Sequence, residues 1–240
     1  TATHYVNANG LHDAGQVTSA RDQAILALYI RQNFPQYLPI FGTSTVVLNG
    51  KKLDSENKLL TSFAGTTGMK TGFVCASGLN LVATVERQGR HLMAVILGGS
   101  SARERNERTA ELVLRGLSNT VAPAGQTVLT LANNPGAAPV DMRSLICGKE
   151  AKTYAAAQEA AFPMGMKGQP SYLNDTIAVA SRVVTDLGRI AVGVSLPRPR
   201  PSHAPIYAQS TDITTSGELR PGLATPAAST IPYPRPRPNF

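Results

Sequence analysis

The sequence has no tryptophan, only 5% aromatic residues and two cysteines among 240 positions. Large rings are therefore scarce, although a hydrophobic content of 42% still permits a core. No apolar run is long enough to span a bilayer. The nearest candidate, Thr176 to Leu196, carries Arg182, Asp186 and Arg189 inside it, and each would be costly at mid-membrane. No transmembrane segment is expected. The chain opens Thr-Ala-Thr-His, with no Met, no basic n-region and no apolar h-region. Its start reads as a processed or truncated end, without a signal peptide of its own.

A one-sided charge distribution is also missing. The net charge is +8, from 23 Lys/Arg and 15 Asp/Glu. Residues 1–120 hold 12 basic and 8 acidic groups, residues 121–240 hold 11 and 7, so each half carries +4. The one dense basic group is Arg103, Arg105 and Arg108, interleaved with Glu104, Glu107 and Glu111. Nucleic-acid binders gather charge on one stripe or recognition element, so no nucleic-acid partner is expected.

Cys75 and Cys147 are too few for a disulfide scaffold and have no metal-ligand spacing. They read either as two small buried residues or, in an oxidising compartment, as one bridge. His4, His12, His91 and His203 form no cluster with Asp or Glu, so no metal or other cofactor is expected.

Local patterns sketch an α+β domain. Ser19 and Asp22 resemble a capping box for a helix to Asn33, barred from continuing by Pro35 and Pro39. Ser44–Leu48 is β-branched and runs into Asn49-Gly50, a strong hairpin signal. Leu79–Glu86 and His91–Leu97 read as an antiparallel pair, and Ser101-Ala-Arg-Glu104 caps a following helix. Linker composition fills 119–139. Residues 140–196 then read as a small appended module, with a final strand suggested by Ile190, Val192, Val194 and Leu196. From Pro197 on, 10 of the 17 prolines fall in 44 residues, and Pro-Arg-Pro-Arg-Pro occurs at 197–201 and 234–238. Such a tail, 197–240, is extended or disordered and builds no core.

Gly68-Met-Lys-Thr-Gly72 is not a phosphate loop, because the spacing ahead of its lysine is wrong. Alone, Lys-Thr-Gly reads as a turn with an exposed lysine. It stands, however, in an ordered series: Thr3-His-Tyr5, Asn9-Gly-Leu11, Ser19-Ala-Arg-Asp22, Asn57-Lys-Leu-Leu60, Gly68–Gly72, Ala76-Ser-Gly-Leu-Asn-Leu81, and Gly98-Gly99 followed by Arg105. That series, over residues 1–118, resembles the serine-type D-alanyl-D-alanine carboxypeptidases, low-molecular-mass penicillin-binding proteins of the bacterial cell wall.

The resemblance implies part of a penicilloyl-serine transferase domain, with an antiparallel sheet and flanking helices. It implies hydrolysis of the terminal D-Ala of peptidoglycan stem peptides through an acyl-serine, in the periplasm, with β-lactam antibiotics inhibiting the intact parent. Of the family's motifs Ser-x-x-Lys, Ser-x-Asn and Lys-Thr-Gly, only the third stands in place, so this chain alone is expected to be inactive. Ser55-Glu-Asn-Lys58 fits the first motif as text and Ser55-Glu-Asn57 the second, but it aligns with the polar stretch ahead of Lys-Thr-Gly and reads as a turn. By resemblance Lys70, Thr71 and Gly72 are catalytic. Phe73, where relatives have His, and Arg105 bind substrate; Arg105 reads alternatively as a surface ion pair with Glu104 or Glu107. The implied periplasmic setting also makes a Cys75–Cys147 bridge an expectation. The rival reading is a non-catalytic protein that binds cell wall or anionic polymer on the same scaffold.

Overall fold

Ser19 opens the first helix, α1 (Ala20–Asn33), and its hydroxyl accepts the Asp22 N–H at 3.1 Å. Pro35 ends α1 but not the helical course. A 3-10 turn, Pro35–Tyr37, and the short α2 (Leu38–Phe41) follow, because proline fits the first turn of a new helix. In the hairpin β1 (Thr45–Leu48) and β2 (Lys51–Asp54), Asn49 and Gly50 take the positive φ values of 50° and 77° that a tight turn requires. After α3 (Leu59–Ser62) come β3 (Thr66–Val74), β4 (Gly78–Arg87) and β5 (Arg90–Gly99), an antiparallel sheet in the order β3-β4-β5. Ser101 then caps α4 (Ala102–Leu117) through the Glu104 N–H at 3.1 Å. The last elements are α5 (Arg143–Ile146), α6 (Ala151–Ala161) and β6 (Ser181–Val184).

This is a computed structural model, and it describes residues 2–118, 125–134 and 136–186. The strand expected at Ile190–Leu196 and the proline-rich tail lie outside the described residues. The described residues belong to one compact unit, Thr1–Arg189.

Leu81, Ala83 and Val85 alternate along β4 and point to one face, joined by Ala94 from β5. Ala110 and Val113 of α4 cover that face together with Leu59 and Phe63 around α3. Each fully buried Leu or Phe here contributes about 2 kcal/mol of hydrophobic stabilisation.

Beside the expected antiparallel sheet stands a second one, β2-β1-β6, in which β1 pairs β6 in parallel. That pairing joins residues 136 apart, as in the Ala180 N–H to Ser44 Oγ bond, so no local pattern announces it. The sequence sets residues 140–196 apart behind a linker, yet the described portion, 140–186, is laced onto the preceding chain. The Met142 N–H donates to the Ala76 carbonyl at 2.9 Å, and Arg103 donates to the Phe162 carbonyl at 2.9 Å. The Asp175 carboxylate accepts the Ala64 N–H at 2.7 Å. Tyr172 and Leu173 pack on the core. The compositional boundary near 140 marks a change of chain character, not a gap in packing.

Candidate active site

Lys70, Thr71 and Gly72 lie on β3, the edge strand of its sheet, opposite Val82, Leu81 and Asn80 of β4. Strand alternation puts Lys70 and Gly72 on one face. Thr71 and Phe73 share the other with Leu81, the face that α4 covers. The Lys70 side chain is exposed, and its ammonium donates to the carbonyl of Thr71. No atom would lie within 4 Å of a Cβ at Gly72, so the strand is open to an approaching backbone there. Phe73 is 55% exposed, an apolar ring at the end of the motif.

Arg105 is not a surface residue. It is 2% exposed on α4, and Glu104 pairs instead with Arg108, at 2.6 Å. Its Nη2 donates to the Glu56 carbonyl at 2.7 Å, while Nε and Nη2 reach the Asn106 side-chain oxygen at 3.3 Å. Among the described residues, Nη1 donates to none. Burial pulls the Arg105 guanidinium below its ordinary pKa, and the Glu56 carboxylate opposes that shift.

The Glu56–Asn57 step ties Arg105 to the Lys70 strand. Asn57, 3% exposed, donates its side-chain amide to the Gly68 carbonyl at 3.3 Å, two residues before Lys70. Ser55 precedes this step, outside any helix, and its hydroxyl accepts the Asn57 N–H at 3.2 Å. It is a turn residue with its oxygen occupied by the backbone. Asn57 opens the Asn57-Lys-Leu-Leu60 block, to which the family resemblance assigns no role. The signal present was a polar Asn two residues ahead of the apolar Leu59-Leu60.

Cys75 follows β3 directly and is bridged to Cys147 at the end of α5, with a Cα–Cα distance of 5.7 Å. The bridge holds residues 142–147 against the turn that follows the Lys-Thr-Gly strand. His4 bonds the Gly15 carbonyl through Nδ1 at 2.8 Å, and His12 meets Arg143 at 3.2 Å, both far in sequence from this strand. A shallow cavity of about 410 Å3 lies between α6 and the 163–169 loop, lined in part by Glu159, Met166 and Lys167. None of the residues predicted for the site borders it, so the edge of β3 and not this cavity is the candidate site.

The sequence profile of the D-alanyl-D-alanine carboxypeptidase family matches residues 1–101. D-alanyl-D-alanine carboxypeptidase DacD of Escherichia coli (strain K12) is 32% identical over 118 residues, covering 49% of this chain and 30% of the relative. DacC of the same organism is 31% identical over 126 residues, covering 51% and 32%. Among solved structures, Penicillin-Binding Protein D2 from Listeria monocytogenes in its cefotaxime-bound form is 32% identical, covers 48% of each chain and superimposes with a TM-score of 0.44. The chain thus spans about a third of the length of these curated relatives.

Proposed function

We propose that the chain, whose residues 1–101 match the D-alanyl-D-alanine carboxypeptidase family, supplies the substrate-holding edge of such an enzyme. In this reading a serine from a segment outside residues 1–240 attacks the penultimate D-Ala carbonyl of a peptidoglycan stem peptide. The C–N bond to the terminal D-Ala breaks, the amine departs with a proton, and water then hydrolyses the acyl-serine. Lys70 places a cation beside the nucleophile and adds to the positive field that meets the terminal carboxylate. Thr71 gives its hydroxyl to the terminal carboxylate, and Gly72 lets the peptide backbone lie close. The Phe73 N–H serves the oxyanion, a role that any residue but proline fills. Arg105 adds charge for the carboxylate through Nη1.

One observation carries the reading: the exposed Lys70-Thr71-Gly72 edge and the buried Arg105 are joined through Glu56–Asn57 into one hydrogen-bonded unit. An edge strand offers unpaired backbone groups to an extended peptide, and the cations select its charged end. β-Lactams would enter the same edge, as inhibitors of the intact parent. The Cys75–Cys147 bridge suits the oxidising periplasm.

Binding of an N-acylated D-Ala-D-Ala dipeptide to the chain, followed by NMR, tests this. The free acid should shift the amides of Met69–Val74 and bind at least tenfold more tightly than its C-terminal amide. Lys70→Ala should remove that preference. Equal binding of acid and amide, or a fluorescent-penicillin adduct at Ser55, would overturn the reading.

A further inference from the structure

Asn57 holds none of the roles assigned above, yet its side chain spans two elements. Its oxygen accepts the Leu59 N–H at 3.3 Å, closing an Asx turn into α3. That turn requires only the oxygen. The amide nitrogen, which the turn leaves over, donates to the Gly68 carbonyl at 3.3 Å inside the protein. One residue earlier, the Glu56 carbonyl takes the Arg105 Nη2 at 2.7 Å. A single peptide step therefore has the buried guanidinium on one side and the start of the Lys-Thr-Gly strand on the other. Gly68 has little slack of its own, since a Cβ there would lie 2.9 Å from the Phe41 Cβ. Gly68 stands on β3 two residues before Lys70.

We propose that Asn57 is a positioning residue of the reaction proposed above, fixing the separation between Arg105 and the Lys70–Gly72 strand. It thereby sets the preference for a free terminal carboxylate. Two cations act together on one carboxylate only when held at a fixed spacing, and a small misplacement costs much of the gain. The inference rests on the carboxypeptidase reading.

The test is Asn57→Ser in the full chain. Serine keeps an oxygen for the turn but is too short to reach Gly68. NMR titration with N-acylated D-Ala-D-Ala and with its C-terminal amide gives the acid-over-amide preference. The variant should lose at least fivefold of it, and the Met69 amide and Arg105 Nε–H signals should move. Amides of Leu81–Val85 and the unfolding midpoint should stay near wild type. Full preference retained, unmoved Met69 and Arg105 signals, or lower stability with unchanged preference each overturn the proposal. A wild-type chain with no preference removes the carboxypeptidase reading and this inference together, whereas a preference that survives the substitution removes this inference alone. Asn57→Asp, isosteric but without the amide donor, repeats the measurement should the serine variant not fold.

Discussion

Glu107 is buried on α4 with both carboxylate oxygens engaged by chain more than sixty residues downstream. Oε2 accepts the Tyr172 N–H at 2.9 Å, and Oε1 accepts the Ser171 hydroxyl. Gly165, at φ +74°, packs against the same carboxylate, so closely that a Cβ there would fall 2.3 Å from Oε1. Glu107→Ala would leave the half-buried Tyr172 N–H without this acceptor, at about 1 kcal/mol, besides opening a void. Urea unfolding should show that loss. Gly165→Ala should cost about as much, from positive φ and the clash combined.

Lys70→Ala should separate function from stability. The side chain is exposed, so the unfolding free energy should stay within about 0.5 kcal/mol of wild type. Acid-over-amide preference for the dipeptide should nevertheless vanish. In an intact parent enzyme the same change should slow acylation at least a hundredfold, about 2.7 kcal/mol of transition-state stabilisation. A variant that acylates at near wild-type rate would reduce Lys-Thr-Gly to coincidence.

Removal of the bridge should weaken the whole unit. Cys75 and Cys147 are 72 residues apart, and on the chain-entropy model closing such a loop contributes about 4 kcal/mol, less any strain. Cys75→Ser with Cys147→Ser, compared by denaturant titration, should lose much of this. Hydrogen exchange should rise first at 143–161, because α5 and α6 bury no residue of their own.

Acid should act through Asp22. Its carboxyl is held well below the ordinary value by a hydrogen bond from Asn133, which with those from Thr3, the Ala2 N–H and Arg21 outweighs the opposing effect of burial. At Glu104, burial pushes the pKa up, but bonds from Ser100 and Arg108 outweigh it and the net shift is downward. A carboxyl with a depressed folded pKa contributes stability that is full above its unfolded value, about 4. That contribution is lost as pH falls through the folded value. The stability difference between wild type and Asp22→Asn should therefore be constant from about pH 5 to 7 and shrink below about pH 4. A difference independent of pH down to pH 2 contradicts this.

Local chemistry made much of the fold legible. Ser19 and Ser101 announced two helices, Asn49-Gly50 announced the β1–β2 turn, and two strand-like runs about a short turn announced β4 and β5. At the site, the sequence order of the motifs singled out Lys70 and Arg105, but burial of Arg105 could not be read from its charged neighbours. Its place depends on the Glu56 carbonyl, a backbone atom that leaves no mark in side-chain pattern. The strand Ser181–Val184 escaped for a related reason. It is short and wholly exposed, and its partner Thr45–Leu48 lies far upstream. Asn57 was visible only as a polar residue before Leu59, with nothing to tell which of its two polar ends would be used.

The parallel pairing of β1 with β6 also bears on how the molecule comes into being. Local hairpins such as β4–β5 form within microseconds, whereas closing a gap of 136 residues carries its entropy cost before any contact rewards it. On a ribosome, β1 emerges long before Ser181 does, and until then the upper edge of β1 stays unpaired and adhesive. The arrival of residues 171–184 adds Tyr172 and Leu173 to the core and pairs that edge of β1 with β6.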